Sequence, residues 1–295
     1  MESGQVTLVD VTLRDGLQDQ PRVVSTEDKV MLAELLVQAG YRELEVTSFM
    51  RPDWIPQTAD AERVLKGFSS RPGVQRHVLV PNRRGLDRAL TTDAEVLTFV
   101  ISASTAHNQR NLNRTTDESL AQVAPLIEEA KRAGKWVRGT VSTAFGCTIQ
   151  GPIAPNAVWM VVDRYLEAGV DQVCLADTVG LATPKGFNEV MERVLDGLSP
   201  GMLGLHLHEG AAVSILTIVQ QALDMGLRVF DSAIAGLGGC PFAPGAKGNL
   251  KAERLIPYLE ARGFATGIDS GQLPTIALTL GMALGDGPLV TRRTS

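Results

Sequence analysis

Eight short runs rich in aliphatic and β-branched residues recur along the chain, each followed by a longer stretch with mixed polar and apolar character. They cover 6–13, 42–47, 75–80, 96–102, 136–142, 172–176, 203–208 and 228–234. Strands that alternate with helices cannot pair by hairpins, so this order predicts βα units around a parallel sheet. The intervening helical periodicity is clearest over 26–38, 119–132, 157–167 and 211–224. Gly40, Gly134, Gly169 and Gly226 stand where a left-handed residue would end a helix. Eight such units in about 250 residues predict a (β/α)8 TIM barrel. A further helix is expected over 270–283, and the chain is read as a single catalytic domain over 1–295. An open doubly wound sheet would use fewer strands and place a glycine fingerprint after the first one, and none follows 6–13.

Composition narrows the classes of partner. The 295 residues are 44% hydrophobic and 21% charged, enough apolar material for a full core. With 28 Lys plus Arg against 33 Asp plus Glu and no basic block, nucleic acid is not an expected partner. Three widely spaced cysteines, Cys147, Cys174 and Cys240, fit a reducing compartment better than a disulfide framework, so a cytoplasmic protein is expected. No apolar run reaches the roughly 18 residues a membrane helix needs, and the first ten residues do not resemble a leader. The chain is therefore read as soluble, mature and without a membrane partner. Barrels of this size commonly associate, which makes a homo-oligomer, and a dimer first, the expectation.

Catalytic groups of a barrel sit at the C-terminal ends of its strands. The first run ends in Leu13-Arg14-Asp15-Gly16, either an active-site pair or a local ion pair capping a turn. The seventh ends in His206-Leu207-His208, whose imidazoles at i and i+2 share one face and make half of a metal site. With Asp15 as an oxygen donor, Mg2+ or Mn2+ suits the set, and two imidazoles leave Zn2+ and Co2+ open. Glu45 and Asp177 approach the same mouth from other strands, where they could orient ligands or move protons; Asp177-Thr178 could equally serve as turn chemistry. The glycine-rich run 236–249 carries a thiol, Cys240, and a carboxamide, Asn249, and reads as an active-site lid or a plain flexible loop. His77 and His107 are assigned to no site, although His107 follows the fourth strand closely enough to touch a substrate.

At this point the motifs resemble those of the 3-hydroxy-3-methylglutaryl-CoA lyases, within the metal-dependent lyase and Claisen-condensing barrels. The matching pieces are RDGLQ at 14–18, EVTSF at 45–49 followed by PDWIPQTAD, and VPN at 80–82. Then come VRGTVSTAFGC at 137–147, ADTVGLATP at 176–184, HLH at 206–208 and AGLGGCPFAPGAKGN at 235–249. The resemblance implies that Asp15, His206, His208 and Asn249 bind a divalent cation and that Arg14 contacts the thioester oxygen of an acyl-CoA. It implies that Glu45 and Asp177 support substrate and proton traffic, with Asp15 or His206 as the base. It also implies a catalytic Cys240 on the closing loop and places Gln18 and Ser48 close to substrate. The implied reaction is retro-Claisen cleavage to acetyl-CoA and a 3-oxo acid such as acetoacetate.

Three departures from the family pattern stand out. Glu209-Gly210 follows the paired histidines where Asp-Thr is usual, which rearranges support around the metal. Asp19-Gln20-Pro21 replaces Asn-Glu-Lys, removing a lysine near the expected CoA phosphates. The segment Val9-Asp10-Val11-Thr12-Leu13 resembles the condensing synthases more than the lyases' Glu-Val-Gly-Pro. The alternative reading is therefore an acyltransferase of the isopropylmalate or homocitrate synthase type, joining acetyl-CoA to a 2-oxo acid. Against it, the long C-terminal extension common in those enzymes is not seen. No cysteine follows Cys240, so a C-terminal thiol switch is not expected. A non-catalytic metal-binding relative is the third reading, suggested by Glu209-Gly210 and Pro21 alone.

Overall fold

The computed structural model describes residues 4–210, 214–239 and 248–285. Its strands are Thr7–Asp10 (β1), Glu43–Ser48 (β2), Gln75–Leu79 (β3), Val96–Ser102 (β4), Trp136–Ser142 (β5), Gln172–Asp177 (β6), Leu203–Leu207 (β7) and Val229–Ser232 (β8). They pair in sequence order, all parallel, and β8 closes on β1 with Thr7 opposite Val229 and Asp10 opposite Ser232. The (β/α)8 barrel expected from the repeat is the fold observed.

Helices follow the strands: Thr26–Gln38 (α1), Ala61–Gly67 (α2), Arg83–Ala89 (α3), Thr105–Leu112 (α4), Thr116–Arg132 (α5), Pro155–Glu167 (α6), Pro184–Leu195 (α7), Ile215–Asp224 (α8) and, after β8, Ala252–Glu260 (α9). Two of them, α4 and α5, follow β4. The C-terminal helix Leu273–Leu284 (α10) begins after a 3-10 turn at Ser270–Gln272. Local chemistry fixes the starts: Ser25 caps α1, and Thr115 with Glu118 forms a capping box on α5. The four glycines expected as helix stops all have positive φ, from +76° at Gly134 to +112° at Gly40. No helix among the described residues is long and apolar enough to cross a membrane.

The first strand is shorter than its apolar run. β1 stops at Asp10, and Thr12–Gly16 forms a π-helical turn instead of extending the ladder. The cause is local: the Asp10 carboxylate accepts both the Thr12 N–H (3.0 Å) and the Thr12 hydroxyl (2.9 Å), bending the chain inward. Thr12 Oγ1 in turn accepts the Ile234 N–H at 2.9 Å, tying this turn to the segment after β8. Arg14 and Asp15 thus lie over the barrel mouth rather than at a strand end.

Two glycines let the interior pack around its polar groups. On β5, a Cβ at Gly139 would meet the Tyr165 ring of α6 at 2.7 Å, so its absence lets that ring lie flush on the sheet. Tyr165 is buried, and its hydroxyl donates to the carbonyls of Phe99 and Thr140. On β7, a Cβ at Gly204 would stand 2.9 Å from Arg138 Nη2. Gly204 and His206 alternate onto one face of β7. The small residue admits a guanidinium beneath the imidazole.

Candidate metal centre

The polar groups at the mouth come from the turn after β1 and from β2, β5, β7 and β8 and meet around one cavity of about 220 Å³. One ligand atom each from Asp15, His206 and His208 lies within 4.8 Å of the others, and all three residues are buried. The two Nε2 atoms face each other at 2.9 Å, and each stands 4.0 Å from Asp15 Oδ2. His208 lies one residue past β7, held by a backbone bridge to Asn249. The Asn249 carboxamide donates to Asp15 Oδ2 at 2.7 Å, which brings a fourth side chain to the same point.

This donor set fits a divalent cation. His206 Nδ1 lies 3.0 Å from Asp231 Oδ2. A carboxylate there holds the proton on Nδ1 and leaves Nε2 as a lone pair aimed at the centre, the arrangement that orients metal-bound imidazoles. Asp231 is itself gripped by Arg138, Nη2 to Oδ1 at 2.7 Å and Nη1 to Oδ2 at 3.1 Å. Burial alone would raise the Asp231 carboxyl, but Arg138 and then His206 hold it well below the usual carboxylate range. Burial likewise opposes the charged form of His206, yet the Asp231 hydrogen bond and the charges of Asp15 and Asp231 raise its pKa. For Asp15, burial is outweighed by Arg14, His206 and His208, and the carboxyl stays ionised below its ordinary range.

Arg14 bridges two acids. Its Nε donates to Glu45 Oε2 at 2.7 Å and its Nη1 to Asp15 Oδ1 at 2.7 Å. The register between β2 and β3 slips between Glu45 and Thr47, a bulge of the kind that redirects a side chain beside a site. The other Glu45 oxygen, Oε1, is buried without a hydrogen-bond partner.

Arg14, Asp15, Gln18, Glu45, His206 and His208 all line the cavity. Three other described candidates do not, and of these Asn249 joins the centre through Asp15 Oδ2. The Ser48 side chain is fully enclosed, its hydroxyl donating to Thr58 and accepting the Met50 N–H. Asp177 takes the turn role that its sequence also allowed, its two oxygens accepting the N–H groups of Leu181 and Ala182 at 2.9 Å each. Burial pushes its carboxyl up, against those two backbone bonds. Cys240 lies outside the described residues.

The unusual Glu209-Gly210 pair has a physical reason. Glu209 turns outward to Arg254 (2.6 Å), while a Cβ at Gly210 would meet the Gly180 carbonyl oxygen at 2.5 Å. The turns after β6 and β7 thus touch backbone to backbone. Sequence reasoning missed Asp231 and Arg138. The available signal was a charged residue alternating among apolar ones in an interior strand, at β5 and again at β8.

With this geometry in view, a family model described as HMGL-like matches residues 5–279. The mitochondrial hydroxymethylglutaryl-CoA lyase of Macaca fascicularis is 37% identical over 269 residues, which is 91% of this chain and 82% of the relative. Among solved structures, the HMG-CoA lyase from Brucella melitensis superposes with a TM-score of 0.91 at 37% identity, covering 96% of this chain and 100% of that one. An HMG-CoA lyase from Acinetobacter baumannii in complex with coenzyme A and 3-methylmalate superposes at 0.92 with 36% identity, covering 100% and 96%.

Proposed function

The chain belongs to the HMGL-like family, alongside the hydroxymethylglutaryl-CoA lyases, and from that premise we propose that it is a carbon–carbon lyase cleaving 3-hydroxy-3-methylglutaryl-CoA, or a close 3-hydroxyacyl-CoA, to acetyl-CoA and acetoacetate or a related 3-oxo acid. The observation that carries this reading is the convergence of Asp15, His206 and His208 beside the Arg14 guanidinium in one cavity.

Asp15, His206, His208 and Asn249 would hold the divalent cation, Mg2+ or Mn2+ by the mix of oxygen and imidazole donors. Bound there, such an ion lowers the pKa of a substrate hydroxyl and polarises an incipient ketone. The protein's own groups supply the rest. The tertiary hydroxyl would lose its proton to the Asp15 carboxylate, whose two oxygens leave lone pairs beside the ion, while His206, with its Nε2 lone pair directed to the ion and its Nδ1 proton to Asp231, supports that step as a ligand. The hydroxyl oxygen becomes a ketone, the bond between the carbinol carbon and the carbon beside the thioester breaks, and its electron pair passes into the thioester enolate. Arg14 would hold that enolate oxygen. Glu45 and Asp15 raise its pKa against the cost of burial, so it stays charged in a site largely shut off from water. Gln18 faces the same cavity and would contact substrate. Protonation of the enolate carbon completes acetyl-CoA, and Cys240 is proposed as that donor on the strength of the family resemblance.

Incubating the purified protein with 3-hydroxy-3-methylglutaryl-CoA and Mn2+, with mass detection of products, tests the reading. Acetyl-CoA and acetoacetate in equal amounts are expected, suppressed by a chelator. Condensation of acetyl-CoA with a 2-oxo acid, without thioester cleavage, would replace the lyase by the synthase.

A further inference from the structure

Four neighbouring strands send polar groups into the barrel interior beneath the metal centre. On β2, β4 and β5, Glu45, Thr98 and Arg138 line the cavity. His77 of β3, which belongs to no site on sequence grounds, shares a face with the cavity-lining Leu79 two residues on. Its ring meets that of Trp136, two residues before Arg138, edge to face with centroids 6.4 Å apart. Strand register sets Glu45 opposite His77, Leu79 opposite Thr98, and Thr98 opposite Arg138. Burial opposes the charge of Arg138, and Asp231 first, with Glu45 also near enough to act, raises its pKa against that cost.

Each of these four residues keeps one polar atom that is buried without a hydrogen-bond partner among the described residues: Glu45 Oε1, His77 Nδ1, Thr98 Oγ1 and Arg138 Nε. The rest of their polar atoms are committed. Arg14 Nε at 2.7 Å and Nη2 at 2.5 Å both reach Glu45 Oε2. His77 Nε2 lies 2.6 Å from Glu43 Oε2, and Arg138 gives both Nη groups to Asp231. A carboxylate only accepts, so the Glu43 contact fixes a hydrogen on Nε2 and leaves a lone pair on Nδ1. The unpaired set is then two acceptors, Glu45 Oε1 and His77 Nδ1, one donor, Arg138 Nε–H, and a hydroxyl that can serve as either. A water molecule, with two hydrogens and two lone pairs, is the complement of that set, and leaving such groups unsatisfied is costly.

We propose that these four atoms bind one ordered water in the barrel interior, and that His77 is a positioning residue, steadying Glu45 through that water so that Oε2 stays on Arg14. The positioning role rests on the lyase reading above, in which Arg14 holds the enolate oxygen; the water site does not.

The two nitrogens of His77 can be tested apart. An Asn side chain ends near the Nδ1 position and a Gln side chain near the Nε2 position. His77→Asn therefore keeps an acceptor toward the water, and His77→Gln keeps a donor toward Glu43. A crystal structure of the parent protein that resolves ordered solvent should show density within hydrogen-bond distance of all four atoms, retained in His77→Asn and lost in His77→Gln. In His77→Gln, kcat for thioester cleavage should fall roughly threefold to tenfold, the scale of one hydrogen bond, with KM and Mn2+ affinity unchanged. His77→Asn should restore most of that rate, and Thr98→Val, which keeps the shape and removes the hydroxyl, should act in the same direction as His77→Gln. A parent structure without that density, or density unchanged in His77→Gln, would overturn the site. Equal rates in the two His77 variants, or the reverse order, would overturn the positioning role and leave His77 as a partner of Glu43 alone. If the parent cleaves no thioester, the lyase reading fails and the density alone decides the water site.

Discussion

Replacing Asp231 by Asn removes one buried negative charge while keeping the shape of the side chain, and the surrounding contacts set the size of the effect. Asp231 is the shared acceptor of the Arg138 fork, at 2.7 and 3.1 Å, and of His206 Nδ1, at 3.0 Å. Arg138 is buried in the barrel interior, so the Asn variant leaves its charge uncompensated. Breaking one side of a buried pair costs about 3–5 kcal/mol. At roughly 2–4 °C per kcal/mol for a large domain, this lowers Tm by on the order of 10 °C. Separately, loss of the carboxylate behind a ligating imidazole weakens metal binding by about 10–100-fold. The two consequences part company in the Asp231→Asn/Arg138→Met double variant. Removing the orphaned cation should recover most of the stability, while metal affinity stays low because His206 still lacks its partner. Thermal unfolding with chelator present and calorimetric titration with Mn2+ read the two quantities independently. Mn2+ affinity in Asp231→Asn within twofold of the parent, or affinity recovering together with Tm in the double variant, would show that Asp231 does not orient the ligand.

Three further outcomes are expected. Arg14→Met should retain the cation but lose at least about 10²–10³-fold in turnover, the scale of losing one donor to a developing oxyanion; steady-state thioester cleavage checks it, and near-parental turnover removes Arg14 from the mechanism. Cys240→Ser should slow cleavage without changing Tm, measured on the same substrate, and full activity would dismiss the thiol. Asp10 is pushed up to about 7 by burial, against its hydrogen bonds from Thr12. The folded state therefore holds its proton more tightly than the unfolded chain. That stabilisation is complete below pH 4 and is lost as pH rises to about 7, on the order of 4 kcal/mol in all. In chelated protein, Asp10→Asn should thus gain on the parent between pH 4 and 8 in urea midpoints, and a constant difference across that range would contradict the burial argument.

The architecture was legible because a period of strand and helix is written into the hydrophobic pattern, and the paired imidazoles because i and i+2 on a strand must share a face. The end of β1 was not. Val6 to Leu13 reads as one apolar run, and only the Asp10 side chain, satisfying the Thr12 N–H and hydroxyl, folds it into a turn. Pattern also could not separate the two uses of an acid at a strand end. Glu45 reaches the cavity through a bulge, whereas Asp177 spends both oxygens on its own turn. Arg138 and Asp231 escaped because each makes sense only beside the other, 93 positions apart in sequence. Their closeness is a product of barrel closure, which no local window contains.

The central claim is that one divalent ion is held by Asp15, His206 and His208 inside the barrel mouth. Electron paramagnetic resonance of Mn2+ titrated into the protein addresses it directly through the nitrogens coupled to the metal. One ion per chain is expected, with two imidazole nitrogens in its spectrum, one nitrogen lost in His206→Ala and the other in His208→Ala. A stoichiometric Mn2+ signal without nitrogen coupling, or one indifferent to both substitutions, would contradict it.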